Sequence, residues 1–61
     1  MPRELRVSDA ERDGVVERLA RALREGRITV AEFEERTDRA YAARTRGDLD
    51  DLTEDLPRDI W

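Results

Sequence analysis

The stretch Gly26-Arg27-Ile28-Thr29-Val30-Ala31-Glu32 decides the fold, because it contains the end of one helix and the start of the next. Glycine just past an amphipathic segment is typical of a helix end, where the chain turns into a left-handed backbone conformation. Thr29 and Glu32 have the spacing of a capping box, in which each side chain bonds the other residue's backbone amide. Only residues 26–28 separate the two helices, so the sequence predicts a tight helix-turn-helix hairpin.

The hairpin extends in both directions from this corner. Ser8 and Glu11 repeat the capping-box spacing and predict a first helix over about residues 9–25. A second helix is expected over about residues 30–46, and Gly47 is expected to end it. Apolar residues recur at steps of three and four in both segments, as on one face of a helix. They are Val16, Leu19, Ala20 and Leu23 in the first segment and Val30, Phe33, Ala40 and Tyr41 in the second.

The rest of the chain adds a third helix and two short ends. Leu49, Leu52 and Leu56 predict a helix over about residues 48–56, and Pro57 prevents its continuation. Residues 1–7 are interpreted as an N-terminal arm and residues 58–61 as a tail. The prediction is therefore an all-α fold, a small three-helix domain over residues 8–57. We expect one shared core, made of Leu19, Leu23, Phe33, Tyr41, Leu49 and Leu52.

Two arginines interrupt the apolar stripes, Arg12 in the first helix and Arg44 in the predicted second helix. One interpretation is that their long stems cover the edge of the core while the guanidinium groups reach water. The favoured one is that each forms a bidentate pair with a carboxylate of another segment. Either way, their expected role is structural.

The composition argues against an enzyme. Of 61 residues, 46% are charged, Cys and His are absent, and all 12 basic residues are arginine. The usual general bases and nucleophiles are therefore missing, and Ser8 and Thr29 are already explained as helix caps. Paired carboxylates could catalyse proton transfer only in a pocket that separates their pKa values, which so thin a core does not offer. We expect no catalytic residue, no cofactor and no small-molecule substrate.

An acidic cluster near the C-terminus invites comparison with a calcium site. It consists of Asp48, Asp50, Asp51, Glu54 and Asp55. An EF-hand loop needs oxygen ligands at alternating positions and a glycine at the sixth, whereas Leu49 and Leu52 interrupt this run. The cluster is better interpreted as the solvated face of the third helix, and no metal is expected.

Nucleic acid and membrane binding are the other classes to weigh. A DNA-binding helix-turn-helix regulator is the alternative function, with residues 30–46 as the recognition helix and Arg3 and Arg6 as a minor-groove arm. The formal net charge is −4, and residues 31–61 carry 5 arginines against 10 acids, so nucleic acid is an unlikely partner. No apolar run is long enough to cross a bilayer, so this segment is not expected to insert into a membrane.

Three groups of residues give the chain a family resemblance. They are Leu5-Arg6-Val7-Ser8-Asp9-Ala10-Glu11-Arg12; Gly26-Arg27-Ile28-Thr29 with Glu32-Phe33-Glu34-Glu35-Arg36; and Ala40-Tyr41-Ala42-Ala43-Arg44-Thr45 with Leu49, Leu52 and Leu56-Pro57. In this order, over residues 5–57, they resemble the actinobacterial SHOCT-like domain of unknown function that is number 1707 in its series. That domain is related to the short C-terminal (SHOCT) domains. The resemblance implies a small module, common near the N-terminus of membrane-bound or membrane-associated actinobacterial proteins, without catalytic residues.

These observations predict a non-enzymatic module for protein–protein interaction or oligomerisation. We expect it to be part of, or associated with, a membrane-linked protein, in the cytoplasm or at the cytoplasmic face of the membrane. Recognition is expected to use apolar residues that the three-helix core leaves over. These are Leu5, Val7, Val15, Ile60 and Trp61.

Overall fold

Three helices follow one another along the chain in a computed structural model that describes residues 2–56. Helix α1 covers Asp9–Arg24, α2 covers Val30–Ala42 and α3 covers Arg46–Asp51, and turns continue from α3 to Leu56. Within residues 2–56 there is no β-strand, only an isolated antiparallel bridge between Arg6 and Thr45. The predicted all-α class, with a hairpin and a short third helix, is confirmed.

Both predicted capping boxes are present. At the start of α1, the Glu11 amide donates to Ser8 Oγ, and the Ser8 amide donates to Glu11 Oε1, each at 3.2 Å. At the start of α2, the corresponding Thr29–Glu32 bonds measure 3.1 Å and 2.9 Å. Each box satisfies amides that have no partner inside the helix, which fixes where the helix begins.

The first corner, between α1 and α2, ends as the glycine signal predicts. Gly26 has φ of 73°, in the left-handed region. Its amide donates to the Leu23 carbonyl at 3.1 Å, and the Arg27 amide donates to the Ala22 carbonyl at 2.9 Å. These two bonds form a Schellman motif, which satisfies the last carbonyls of α1 without help from the rest of the fold.

The second corner, between α2 and α3, differs from the prediction. Helix α2 ends at Ala42 rather than near residue 46, because Ala43 is extended (φ −65°, ψ 141°). The interpretation of Gly47 as the residue that ends this helix is therefore wrong, since Gly47 lies buried inside α3. Arg44 is in the linker and exposed, so its assignment to an apolar stripe of α2 is wrong as well.

Tertiary hydrogen bonds explain the early end of α2. Arg12 of α1 donates from Nε to the Ala43 carbonyl at 3.0 Å, and the Val7 amide donates to the Arg44 carbonyl at 3.1 Å. Thr45 then forms a third capping box with Asp48, which starts α3. The linker's polar groups are thus bonded to α1 and the arm, and an extended linker costs little in lost hydrogen bonds.

The core consists of two buried clusters instead of the single one expected. The first contains Val7, Ala40, Ala43, Leu49 and Leu52, and the second contains Leu19, Ala22 and Ile28 with Leu23, Phe33 and Leu56 packed against it. Val15 packs against both clusters and joins them. Tyr41 was predicted to lie in the core, but 58% of it is exposed, because α2 turns this side chain away from α3.

Candidate interaction surface

The predicted surface residues do not form one patch. Leu5 is 44% exposed on the arm, whereas Val7 is buried in the first cluster and Val15 lies between the helices. The interpretation of Val7 and Val15 as surface residues is corrected accordingly, because both contribute to packing. Ile60 and Trp61 lie outside the described residues.

Arg12 is structural, though by a different bond from the one favoured. Besides its bond to the Ala43 carbonyl, it pairs through Nη1 with Asp9 of its own helix at 2.8 Å. Its partner in another segment is therefore a backbone carbonyl and not a carboxylate. Arg44 forms no ion pair with any residue between 2 and 56, so the pair expected for it is not found there.

Other arginines hold α3 and its following turns against one side of the hairpin. Arg36 of α2 bonds both carboxylate oxygens of Asp55, at 2.8 Å and 2.9 Å, and also the Leu52 carbonyl. Arg46 of α3 pairs with Glu11 of α1 at 2.8 Å. These ion pairs fasten α3 and its following turns to one side of the hairpin, and we call that side the covered side. The sequence showed the abundance of both charges but not which arginine meets which acid.

These contacts shift the pKa values of three carboxyl groups in one direction. The Arg36 guanidinium beside Asp55 holds the pKa of that carboxyl below its usual range. The Ser8 amide, followed by Arg46, lowers the pKa of Glu11, and the amides of Arg44 and Thr45 lower that of Asp48. Each charged form is favoured by a hydrogen bond that it accepts in the folded state.

Four of the five residues of the acidic cluster have intramolecular partners. Asp48 caps α3, Asp50 pairs with Arg46, Asp51 with Arg3, and Asp55 with Arg36. In the part of the chain that the structure describes, no three metal-binding side chains converge. The groove between α2 and the turns after α3 has mostly charged walls, unlike the largely apolar walls of typical ligand pockets.

The opposite side of the hairpin has no third layer among the described residues. At about 100° per residue, Val16 lies roughly 160° around α1 from Arg18, whose Nη1 donates to Thr53 on the covered side. On α2, Tyr41 lies about 140° around the helix from Arg36. The surface that results combines Val16, Ala20 and Leu23 of α1 with Val30, Thr37 and Tyr41 of α2, and we call it the open face. Val16 and Leu23 lie at its inner edge, where they also pack against the first and second core clusters.

The open face is half buried on α1 and strongly exposed on α2. Val30 is 61% exposed and Tyr41 58%, while Val16, Ala20 and Leu23 are intermediate. The Thr37 hydroxyl lies buried at the same flank and has no hydrogen-bond partner within residues 2–56. The eleven-residue spacing of Val30 and Tyr41, close to three full turns, placed them on one stripe. That spacing did not reveal that the apolar stripe of α2 extends beyond the part of the helix that packs in the core, so that Val30 and Tyr41 remain exposed.

Within residues 2–56 there is no helix both long and apolar enough to cross a membrane.

Comparison with known proteins places the chain in a family. Two uncharacterized proteins of Mycobacterium tuberculosis, from strain CDC 1551 / Oshkosh and strain ATCC 25618 / H37Rv, are each 44% identical over 52 residues. The match covers 85% of this chain but only 26% of each relative. No solved structure matches the chain significantly.

The family assignment agrees with the resemblance seen in the sequence. The DUF1707 SHOCT-like domain matches residues 5–57, which include all three helices and Arg6 of the arm, which bridges to Thr45. The capped helix starts, the corner at Gly26 and the leucines of the third segment all lie inside the match. The chain therefore belongs to the DUF1707 SHOCT-like domain family.

Proposed function

We propose that this domain is a non-enzymatic protein–protein interaction or oligomerisation module. The observation that carries the proposal is the exposure of Val30 and Tyr41 on one flank of α2. In a chain with 38% apolar residues, leaving two large apolar side chains in water forgoes burial that so small a core needs. Large apolar side chains exposed on one face are typical of a surface that another protein covers.

The domain acts as one part of a longer, membrane-linked protein or in association with one. The chain spans about a quarter of the length of the mycobacterial relatives it matches, so the domain acts there beside other segments. Similarity to a family common in membrane-linked proteins supports a role in, or associated with, such a protein, on the cytoplasmic side.

Two measurements test the proposal. Sedimentation equilibrium over about 10 µM to about 1 mM protein reports self-association in the range expected of weak modules. In parallel, immobilised domain and its Val30→Ser/Tyr41→Ser variant are exposed to actinobacterial extract, and any protein retained only by the wild type is purified and titrated. We expect either concentration-dependent oligomers or a purified partner that binds the wild type more tightly than the variant.

A domain that stays monomeric and retains no protein above the double variant would refute an interaction module. Titration with duplex DNA at low and moderate salt belongs in the same series. Tight, salt-sensitive binding to DNA would instead support a nucleic-acid-binding regulator. The first half of α2 carries three exposed acids, of which Glu32 and Glu35 pair with arginines of the same helix and Glu34 does not within residues 2–56. Carboxylates repel the phosphates of DNA, so we expect DNA binding to be absent.

A further inference from the structure

The charges around the open face are distributed unevenly. Beside its apolar residues, α1 carries Asp13 and Glu17, and α2 carries Glu34 and Asp38, all exposed. Three basic residues of α1 lie near the same border: Arg24, Arg21 one turn after Glu17, and Arg12 one turn before Val16, whose guanidinium bonds Asp9 and the Ala43 carbonyl. No ion pair joins these four carboxylates to an arginine within residues 2–56. We call the four the acidic rim.

The covered side has the opposite arrangement. There the carboxylates of Glu11, Asp51 and Asp55 each pair with an arginine from another segment. The cross-segment ion pairs of the described chain thus lie on the covered side, while the acidic rim of the open face has none. An apolar strip between uncompensated carboxylates is complementary to an apolar strip between cations.

We propose that the open face binds an amphipathic helix of a partner protein, whose apolar stripe is flanked by lysine or arginine. The proposal rests on the proposed function, and it names the surface and the chemistry of the partner. The partner's apolar residues contact Val30, Tyr41 and Leu23, and its cations face the acidic rim. Helix-in-groove docking of this kind uses apolar anchors spaced at i, i+3, i+4 and i+7.

The geometry fits a helix. The open face runs along helices of 16 and 13 residues. A partner helix of about 13 residues is roughly 20 Å long and spans it. Such a helix lies on the open face, opposite the covered side where α3 and its following turns are held.

A second copy of this domain is a poor occupant of the same face. Any symmetric contact between two open faces brings two acidic rims together, and like charges at an interface oppose association. The formal net charge of −4 adds to this repulsion. A partner with basic flanks gains from the same charges.

The test uses a defined probe in place of the natural partner. A fluorescent peptide of about 15 residues carries leucine on one helical face and lysine on both flanks, and a matched peptide has glutamate at every lysine position. Anisotropy titration with the 61-residue chain is expected to show binding of the lysine peptide and none of the glutamate peptide.

Two sets of variants locate the binding. The double variant Val30→Ser/Tyr41→Ser is expected to weaken binding about tenfold or more, whereas Leu5→Ser on the arm leaves it unchanged. The double reversal Glu34→Lys/Asp38→Lys is expected to weaken binding of the lysine peptide by a similar factor. The matched reversal Glu4→Lys/Glu54→Lys makes the same change in net charge away from the open face and is expected to weaken it about threefold at most. Circular dichroism and melting check that each variant is folded.

Several outcomes would overturn the inference. Equal losses in the two charge-reversal variants would mean non-specific attraction, and unchanged binding of Val30→Ser/Tyr41→Ser would place the peptide elsewhere. Dimers that form at high salt and vanish in Val30→Ser/Tyr41→Ser would make a second copy the occupant. If the purified natural partner contacts the arm through Leu5 instead, the interaction module stands and this assignment of its surface fails.

Discussion

The two corners of the molecule contain similar residues and are built by different physics. Each has a glycine, and each has a threonine that caps the following helix with an acid three residues later. At the first corner, the amides of Gly26 and Arg27 close α1 by hydrogen bonds to the carbonyls of Leu23 and Ala22, three and five residues earlier. At the second, the chain between α2 and α3 is held by Arg12 of α1 and by the arm. Local sequence therefore determines one corner, and distant parts of the chain determine the other.

The largest expected effect sharpens this comparison at the second corner. Leu49→Ala removes a side chain that is 2% exposed and packs with Val7 of the arm, Ala43 of the linker and Leu52 just after α3. We expect a loss of about 2–5 kcal/mol, because a cavity remains where the leucine was. Urea denaturation measures it, with Leu5→Ala at a 44% exposed position as the control. A loss below about 1 kcal/mol would show that the arm and α3 do not share one core.

Arg12→Met tests the cross-chain bond to the linker. Methionine keeps much of the apolar stem but removes the donor that reaches the Ala43 carbonyl at 3.0 Å. We expect destabilisation of about 1.5–2 kcal/mol, as for a hydrogen bond from a charged, part-buried donor. Arg39→Met is the matched control, because its pair with Glu35 is exposed and is worth about 0.5 kcal/mol or less. Equal stability of the two variants would argue that Arg12 does not determine where α2 ends.

Gly26→Ala tests the locally determined corner. Alanine resists a φ of 73°, so we expect a loss of about 1 kcal/mol or more in thermal or urea unfolding. Gly14→Ala is the control, since Gly14 lies inside α1 with open space at the Cβ position. That change should stabilise the protein by about 0.5–1 kcal/mol through helix propensity. Unchanged stability of Gly26→Ala would mean that the corner forms without the left-handed residue.

Acid should weaken the second corner and the ion pairs that hold α3 and its following turns to the hairpin. The pKa values of Glu11, Asp48 and Asp55 are lowered in the folded protein, so the unfolded chain binds more protons as the pH falls. Their stabilisation is present above the ordinary carboxyl pKa of about 4 and is lost as the pH decreases through the lower folded values.

Melting curves between about pH 7 and pH 2 measure this loss. The melting temperature of the wild type should fall steadily below about pH 4, and Asp48→Asn should fall less steeply. Glu34→Gln, on the exposed border of the open face, should follow the wild-type curve. A melting temperature that does not change with pH would contradict the capping and pairing geometry.

The smallest expected effect is that of Gly47→Ala, the counterpart of Gly26→Ala. A Cβ at this position would approach the Arg3 guanidinium to 3.0 Å, but that group is the end of a flexible side chain. The helical preference of alanine offsets the displacement, so we expect a change within about 0.5 kcal/mol. Destabilisation greater than that of Gly26→Ala would show that close approach of the arm, and not only the linker contacts, requires glycine here.

The positions of Val30 and Tyr41 show what a periodic sequence pattern determines and what it leaves open. The spacing of Val30 and Tyr41 indicated correctly that they share one side of α2. It could not indicate that the turns after α3 lie beside Arg36, about 140° around the helix from Tyr41. The side that becomes the core depends on where the third segment docks, and that docking depends on contacts between residues far apart in sequence, which include the buried Leu49 and Leu52 as well as the pair of Arg36 with Asp55.

By itself, the sequence determined the helical class, the starts of α1 and α2, the corner at Gly26 and the family resemblance over residues 5–57. All of these depend on bonds or preferences that act within about one helical turn, where sequence spacing equals spatial distance. Only the tertiary structure decided that α2 ends at Ala42, that Arg36 meets Asp55, and that Tyr41 faces water. The end of α2 and the Arg36–Asp55 pair depend on contacts between residues 19 to 37 positions apart, from Arg36–Asp55 to Val7–Arg44, and in a chain with 12 arginines and 16 acids many pairings have the correct charge. Packing in three dimensions selects among them.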